Sequence, residues 1–178
     1  GFGRFIGQLP DEDQELDVLV LARGDEGLPH VEWAQKLSRI EHRTFPGVYQ
    51  VCAEGEQPWI AFRRASGEAL SRYISAEGQG LAEIEALHVI MQLAALLQTI
   101  HVAGLIHGNL TTENVKLQPA DGELFQVLLE GWAPPAMDSE TPPTVADDLK
   151  TLGQLFYQML TGVLPPSAQT NDEPDLEG

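Results

Sequence analysis

The sequence predicts an α+β fold in two parts, a small β-rich N-terminal unit holding one helix and a mainly helical unit after it. Three observations predict it. Short apolar, β-branched runs separated by turn residues fill residues 1–65. After "SGEALSRYIS" the apolar period changes from that of strands to that of helices. Two long helical patterns then each stop at a glycine, Gly104 and Gly162. With 178 residues, 43% hydrophobic and 21% charged, the chain is about one domain's worth and has an ordinary globular composition.

The elements follow in order. "LDVLVLA" (16–22) has the composition of a buried strand, and "RGDEGLP" after it is turn chemistry. Pro29 opens a helix over "HVEWAQKLSRIEH", with Val31, Leu37 and Ile40 near one face. Two short strands, "GVYQVCAEG" and "PWIAFRR", are split by the turn "EGEQP". "LAEIEALHVIMQLAALLQTIHVAG" carries a helical apolar stripe. A loop, "LIHGNLTTENVKL" (105–117), runs into a hairpin of "NVKLQ" and "FQVLLEG" around "ADGE". A Pro-rich loop precedes the last helix, "ADDLKTLGQLFYQMLTG". The boundary between the two parts is placed at residues 65 and 66, giving units 1–65 and 66–178 of one domain.

Charge narrows the function. Against 27 acidic residues stand 10 basic ones, a formal charge of −17, which repels phosphate backbones and anionic lipids and argues against nucleic-acid and membrane-surface binding. The longest apolar run is interrupted by His88, Gln92, Gln98 and His101, so no membrane span or secretory signal is read, and a cytoplasmic location is expected. Cys52 stands alone, which excludes an internal disulfide and a CxxC metal site. No metal site is expected.

The loop carries the most specific signal. His107, Gly108, Asn109, Leu110 and Asn114 fall in register with the H-R-D-L-x-x-x-N catalytic loop, so the chain resembles the eukaryotic-type, Ser/Thr-directed protein kinase family. "KLSRIEHRTFPGVYQVCAEGEQPWIAFRRASGEAL" resembles the family's run into the hinge, and "DDLKTLGQLFYQMLTGVLPP" its D-x-x-x-x-G helix, with Asp148 and Gly153 on the motif positions. The resemblance covers roughly residues 16 to 166 and implies a bilobal kinase-like fold with a truncated C-terminal lobe.

The same resemblance locates departures. Asn109 stands where the family has the aspartate that accepts the substrate proton, and an amide is no base. Thr111 replaces the lysine that faces the transferred phosphate. Glu130, Gly131 and Trp132 align with the metal-binding D-F-G, where the longer Glu130 side chain fits a tight octahedral site poorly. Leu21 takes the place of the phosphate-binding strand lysine, with Arg23 two residues on and expected on the same side of a strand. Trp33 takes the place of that lysine's glutamate partner, beside Glu32. "GFGRFIG" resembles a glycine-rich phosphate loop that lacks a preceding strand to hold it. Only 17 residues separate Glu130 from Asp148, without A-P-E.

The resemblance therefore implies a pseudokinase that serves as a protein-binding, scaffolding or regulatory module. Protein partners or adjacent domains are expected, no cofactor is expected, ATP and Mg²⁺ included, and oligomeric state is left open. His107, Leu110, Asn114, Gly131, Asp148 and Gly153 are assigned architectural roles. Phe62, at the family's gatekeeper position, and Arg63, at the first hinge position, would line any nucleotide pocket with Arg23, while Trp33, Trp59 and Trp132 are candidates to crowd it. Ser139, Thr141 and Thr144 are candidate phosphosites. Two alternatives stay open: an atypical nucleotide-binding or weakly active kinase using Arg23, Glu130 and Asn114, and a remnant of small-molecule phosphotransferases, whose H-G-D loop "HGN" also resembles.

Overall fold

The computed structural model describes residues 3–8, 15–23, 28–54, 57–74, 80–134 and 141–166. The first sheet is antiparallel, in the order β1-β2-β4-β3, from β1 (Gly3–Gln8), β2 (Glu15–Val20), β3 (Val48–Cys52) and β4 (Trp59–Arg63). Helix α1 (Leu28–Leu37) buries His30, Trp33, Ala34 and Leu37, while Val31 and Ile40 pack half-buried at the core's edge. A second sheet, β5-β6-β7, is built from β5 (Glu68–Ala69), β6 (Val115–Ala120) and β7 (Glu123–Leu129). The changeover between the sheets falls in residues 64–67.

Two expectations are corrected here. The glycine-rich N-terminal stretch is not a loop lacking a strand: it is itself β1, paired along its length with β2 from Gly3↔Val20 to Gln8↔Glu15. Edge position explains why its pattern misled, because Phe5 and Ile6 lie exposed and no buried face imposes alternation. The second correction concerns β2, which ends at Val20, so Arg23 is not on a strand.

The helical part rests on α2 (Glu83–Val102) and α3 (Val145–Thr161). In α2, Ala86, Val89, Leu93, Leu96, Leu97 and Ile100 are buried, and the helix lies on α3 and β7. Gly104 ends it at φ 71°, with the Leu105 N–H returning to the Ile100 carbonyl at 2.9 Å. By length and mean hydropathy α2 does reach what a membrane span requires, contrary to the sequence reading; its polar residues instead tie it inward. Gln92 Nε2 donates to the Phe125 carbonyl at 3.0 Å and Gln92 Oε1 accepts from Val127 N–H at 3.3 Å, which locks the helix to β7. Thr144 and Asp147 form a reciprocal cap at the start of α3, and Gly162 closes it at φ 75°.

One apolar core joins both parts. Leu19, Leu37 and Phe62 belong to the same buried cluster as Leu97, Leu129 and Met159. The segment Leu129–Trp132, leaving β7, thus runs beneath the first sheet. Its Leu129 N–H donates to the Thr44 carbonyl at 2.8 Å, and the Trp132 ring meets Phe45 edge-on with centroids 4.9 Å apart.

Candidate functional site

The loop after α2 is held from below by one buried carboxylate. Asp148, 2% exposed, accepts from His107 N–H at 2.9 Å, from Gly108 N–H at 2.8 Å and from His101 Nε2 at 2.8 Å. These bonds satisfy donors that the chain's turn through Gly108, at φ 67°, removes from any regular ladder. The part of His101 is not legible in the sequence, where it is one of two histidines on an apolar helix. Leu110 is buried and pins the loop's next turn.

His107 is buried against the Trp132 ring, centroids 4.5 Å apart. Its Nε2 donates to the Glu130 carbonyl at 3.0 Å, and its Nδ1 accepts from Asn109 N–H at 3.2 Å. Burial pushes its pKa down to about 4, against the opposing pull of the Glu130 carbonyl and the Asp148 carboxylate. The bonding pattern gives the same answer, since a second proton on Nδ1 would face the Asn109 N–H, donor against donor.

Asn109 is exposed, and its side chain is engaged structurally: Nδ2 donates to the Gly131 carbonyl at 3.2 Å. Asn114 Nδ2 in turn donates to the Asn109 carbonyl at 2.9 Å. Thr111 Oγ1 accepts from Asn114 N–H at 3.3 Å, a turn role. Gly131 sits at φ 81°, and a Cβ there would collide with the Asn114 amide, so glycine is needed for both backbone and space. Gly153 is different: within α3 nothing described lies within 4 Å of a Cβ placed on it.

The other site residues divide around the cleft between the two parts. Phe62 and Arg63 line it together with Arg4, Asp17, Glu130 and Trp132. The cavity there is about 10 Å³, room for about one water, whereas ligand sites run to about 300–1,000 Å³. Arg23 is absent from its lining; it is exposed beyond β2 with Nε bonded to Gln57 Oε1. Leu21 is buried in the core at 2% exposure. Trp33 is buried edge-on to Phe62, centroids 6.4 Å apart, and Trp59 begins β4 away from the cavity. Thr141 is exposed, Thr144 caps α3, and Ser139 lies outside the described residues. Hydrogen bonds from the Thr144 hydroxyl and backbone hold the Asp147 carboxyl below its usual range.

Glu130, at the position aligned with the metal-binding aspartate, has partners within the protein. The Glu130 carboxylate is already committed, with Oε1 accepting from Ala65 N–H at 2.6 Å and Oε2 lying 3.9 Å from Lys116 Nζ. Among the described residues no three His, Cys, Asp or Glu side chains gather as metal ligands. A larger groove of about 370 Å³ opens between Trp33, Asn109 and Pro143, and among the described residues no charged side chain lines it.

A small sheet with one helix, followed by a mainly helical part whose loop after α2 is tethered by a buried carboxylate, is the architecture of a protein kinase domain. A family model for protein tyrosine and serine/threonine kinases matches residues 22–122, more than half the chain. The chain belongs to that family. Among curated relatives it is 24% identical over 99% of its length to the probable serine/threonine-protein kinase zyg-1 of Caenorhabditis briggsae, of which it covers 27%. It is 26% identical over 76% of its length to the serine/threonine-protein kinase Pkn1 of Myxococcus xanthus, covering 22%. A probable inactive receptor-like protein kinase of Arabidopsis thaliana matches at 25% identity over 79% of the chain, covering 32% of that protein. The chain thus spans between a fifth and a third of these relatives. Among solved structures, the Mycobacterium tuberculosis PknI kinase domain aligns with a TM-score of 0.65 at 18% identity, over 91% of this chain and 70% of that one. Rad53 in complex with AMP-PNP aligns with a TM-score of 0.66 at 19% identity, over 88% of this chain and 44% of that one.

Proposed function

We propose that this chain is a pseudokinase domain, which keeps the kinase architecture without transferring phosphate and acts through protein partners or adjacent domains. The observation that carries the reading is the cleft. Its cavity of about 10 Å³ has Glu130 turned onto Ala65 and Lys116, and the strand position that would reach phosphate is the buried Leu21. Chemistry is missing as well as space, because Asn109 offers an amide where a base is required and that amide is bonded to Gly131. Surface charge favours protein ligands over nucleic acid or anionic membrane, since a formal −17 opposes both of the latter.

The names of the two serine/threonine kinase relatives favour a second reading, a weakly active kinase. Incubation of the protein with labelled ATP and Mg²⁺, alone and with generic protein substrates, separates the two. No incorporation is expected, and Asn109→Asp is expected not to restore it because Leu21, Thr111 and the committed Glu130 remain. Incorporation by the unmodified protein would overturn the pseudokinase reading.

A further inference from the structure

We propose that the outward faces of α2 and α3 form a groove that docks a basic amphipathic helix of a partner protein. The inference rests on the reading that this chain acts through protein partners, and deepens it by naming the surface and the chemistry of the segment that fits it.

Helix α2 is apolar on two sides. One side, through Ala86, Val89, Leu93 and Ile100, is buried in the core. On the opposite side Ile84, Leu87, Met91, Ala94 and Val102 recur at helical spacing and lie exposed, Met91 at 69% and Val102 at 86%. A helix that is apolar all round belongs in an interior, yet α2 presents this second stripe to solvent. Helix α3 runs antiparallel beside it: Leu81 N–H, at the start of α2, donates to the Met159 carbonyl near the end of α3 at 2.6 Å, while His101, at the end of α2, meets Asp148 at the start of α3. Along one flank α3 exposes Leu149, Tyr157 and Leu160, again at helical spacing. The two stripes meet where Ala94, Leu97, Gln98, His101 and Val102 of α2 and Leu149 of α3 line an open groove of about 410 Å³. Two antiparallel helices with apolar banks make a seat for a third helix.

Charge selects the occupant. The two helices carry Glu83, Glu85, Asp147 and Asp148 against one base, Lys150, and α2 has no Lys or Arg. A second copy brings its own formal −17, and an anionic membrane surface its own negative field, so both are repelled. A partner helix with Leu-like residues at i, i+3, i+4 and i+7 and with Lys or Arg between them matches the stripe and the sign together.

Fluorescence anisotropy at physiological salt tests the groove, with a labelled amphipathic Leu/Lys helix of about 18 residues as the probe, long enough to lie along α2. Saturable binding is expected. A scrambled Leu/Lys peptide of the same composition and a Leu/Glu helix of the same pattern should each bind at least about tenfold more weakly. Met91→Gln combined with Leu149→Gln removes apolar contact at two exposed positions where the fold is little affected, and should weaken the Leu/Lys helix at least about tenfold. Ile6→Gln, on β1, should leave it unchanged. Equal binding of the scrambled peptide overturns the proposal, since charge alone would then account for it, and so does full affinity in the folded double variant. A photo-crosslinking group at the centre of the probe needs no variant: it should attach within α2 or α3, and attachment elsewhere overturns the proposal. A dimer that forms with rising concentration and is lost in the double variant would assign the face to a second copy and overturn it also. Transfer of phosphate from labelled ATP would instead sink the pseudokinase reading and change none of these affinities, so the two failures are distinguishable.

Discussion

Acidification from pH 7 to pH 5 should weaken the fold through the His107 imidazole. Its pKa is held at about 4 in the folded protein against 6.5 for an unburied histidine. The unfolded chain therefore takes up a proton in this range that the native state refuses, and stability rises with pH wherever that holds. The contribution is fully present above about pH 6.5 and is lost progressively as pH falls toward 4. A difference of about 2.5 units at about 1.4 kcal/mol each sets a ceiling of roughly 3.5 kcal/mol, of which roughly 2 kcal/mol is lost by pH 5. Urea unfolding at pH 7, 6 and 5 measures it. Glu and Asp titrations enter the same curve, so the comparison is with His107→Gln, whose amide donates to the Glu130 carbonyl without titrating. The variant will be less stable at pH 7, having lost the ring contact with Trp132, but its stability should fall by roughly 2 kcal/mol less between pH 7 and 5. Equal slopes in the two proteins would refute the claim that the native state excludes the proton.

Asp148→Ala strips partners from two backbone donors and from His101, and at roughly 1–3 kcal/mol for each group left buried and unpaired it should lower the unfolding free energy by several kcal/mol; an unchanged urea midpoint would mean that Asp148 does not hold the loop. Gly153→Ala should stabilise by about 0.5–1 kcal/mol, the helix-propensity gain at a site with room for a methyl, read as a raised thermal midpoint; a lowered midpoint would show that this face of α3 is covered.

What the sequence disclosed was local order. The stripe through Leu93, Leu97 and Ile100, the glycines that stop α2 and α3, and the "ADGE" turn of the β6–β7 hairpin each lie within a few residues of the feature they specify. β5 escaped because two residues carry no period, and β1 because an exposed edge strand rich in glycine carries none either. Arg23 was misplaced by extending β2 beyond Val20, where the chain turns to pair its side chain with Gln57. At the candidate site, family position located Asp148 and the loop it tethers. It did not locate His101, Lys116 or the bond from Ala65 to Glu130, whose partners lie 47, 14 and 65 residues away in the chain. Such pairs are fixed by how the two sheets meet, and no periodicity records that.

Several motif positions that agree with the family pattern are ones the fold itself requires, whereas Gly153 and Asn114 agree without being buried. His107, Leu110 and Asp148 agree with the family pattern and are all nearly inaccessible to solvent, while Gly131 agrees because a Cβ would strike Asn114. Replacing any of them leaves buried donors unpaired, opens a cavity or forces a clash, each a cost of about 1 kcal/mol or more to the fold itself. Asn109 and Thr111 depart from the pattern and are exposed, where a substitution costs the fold little. Leu21 departs in a buried position, but toward an apolar side chain that the core accepts without a partner. A requirement to fold accounts for His107, Leu110, Gly131 and Asp148. Glu130 is a half-buried charge that departs from the pattern and would be a liability if left free. Its bond to Ala65 and its approach to Lys116 remove the liability.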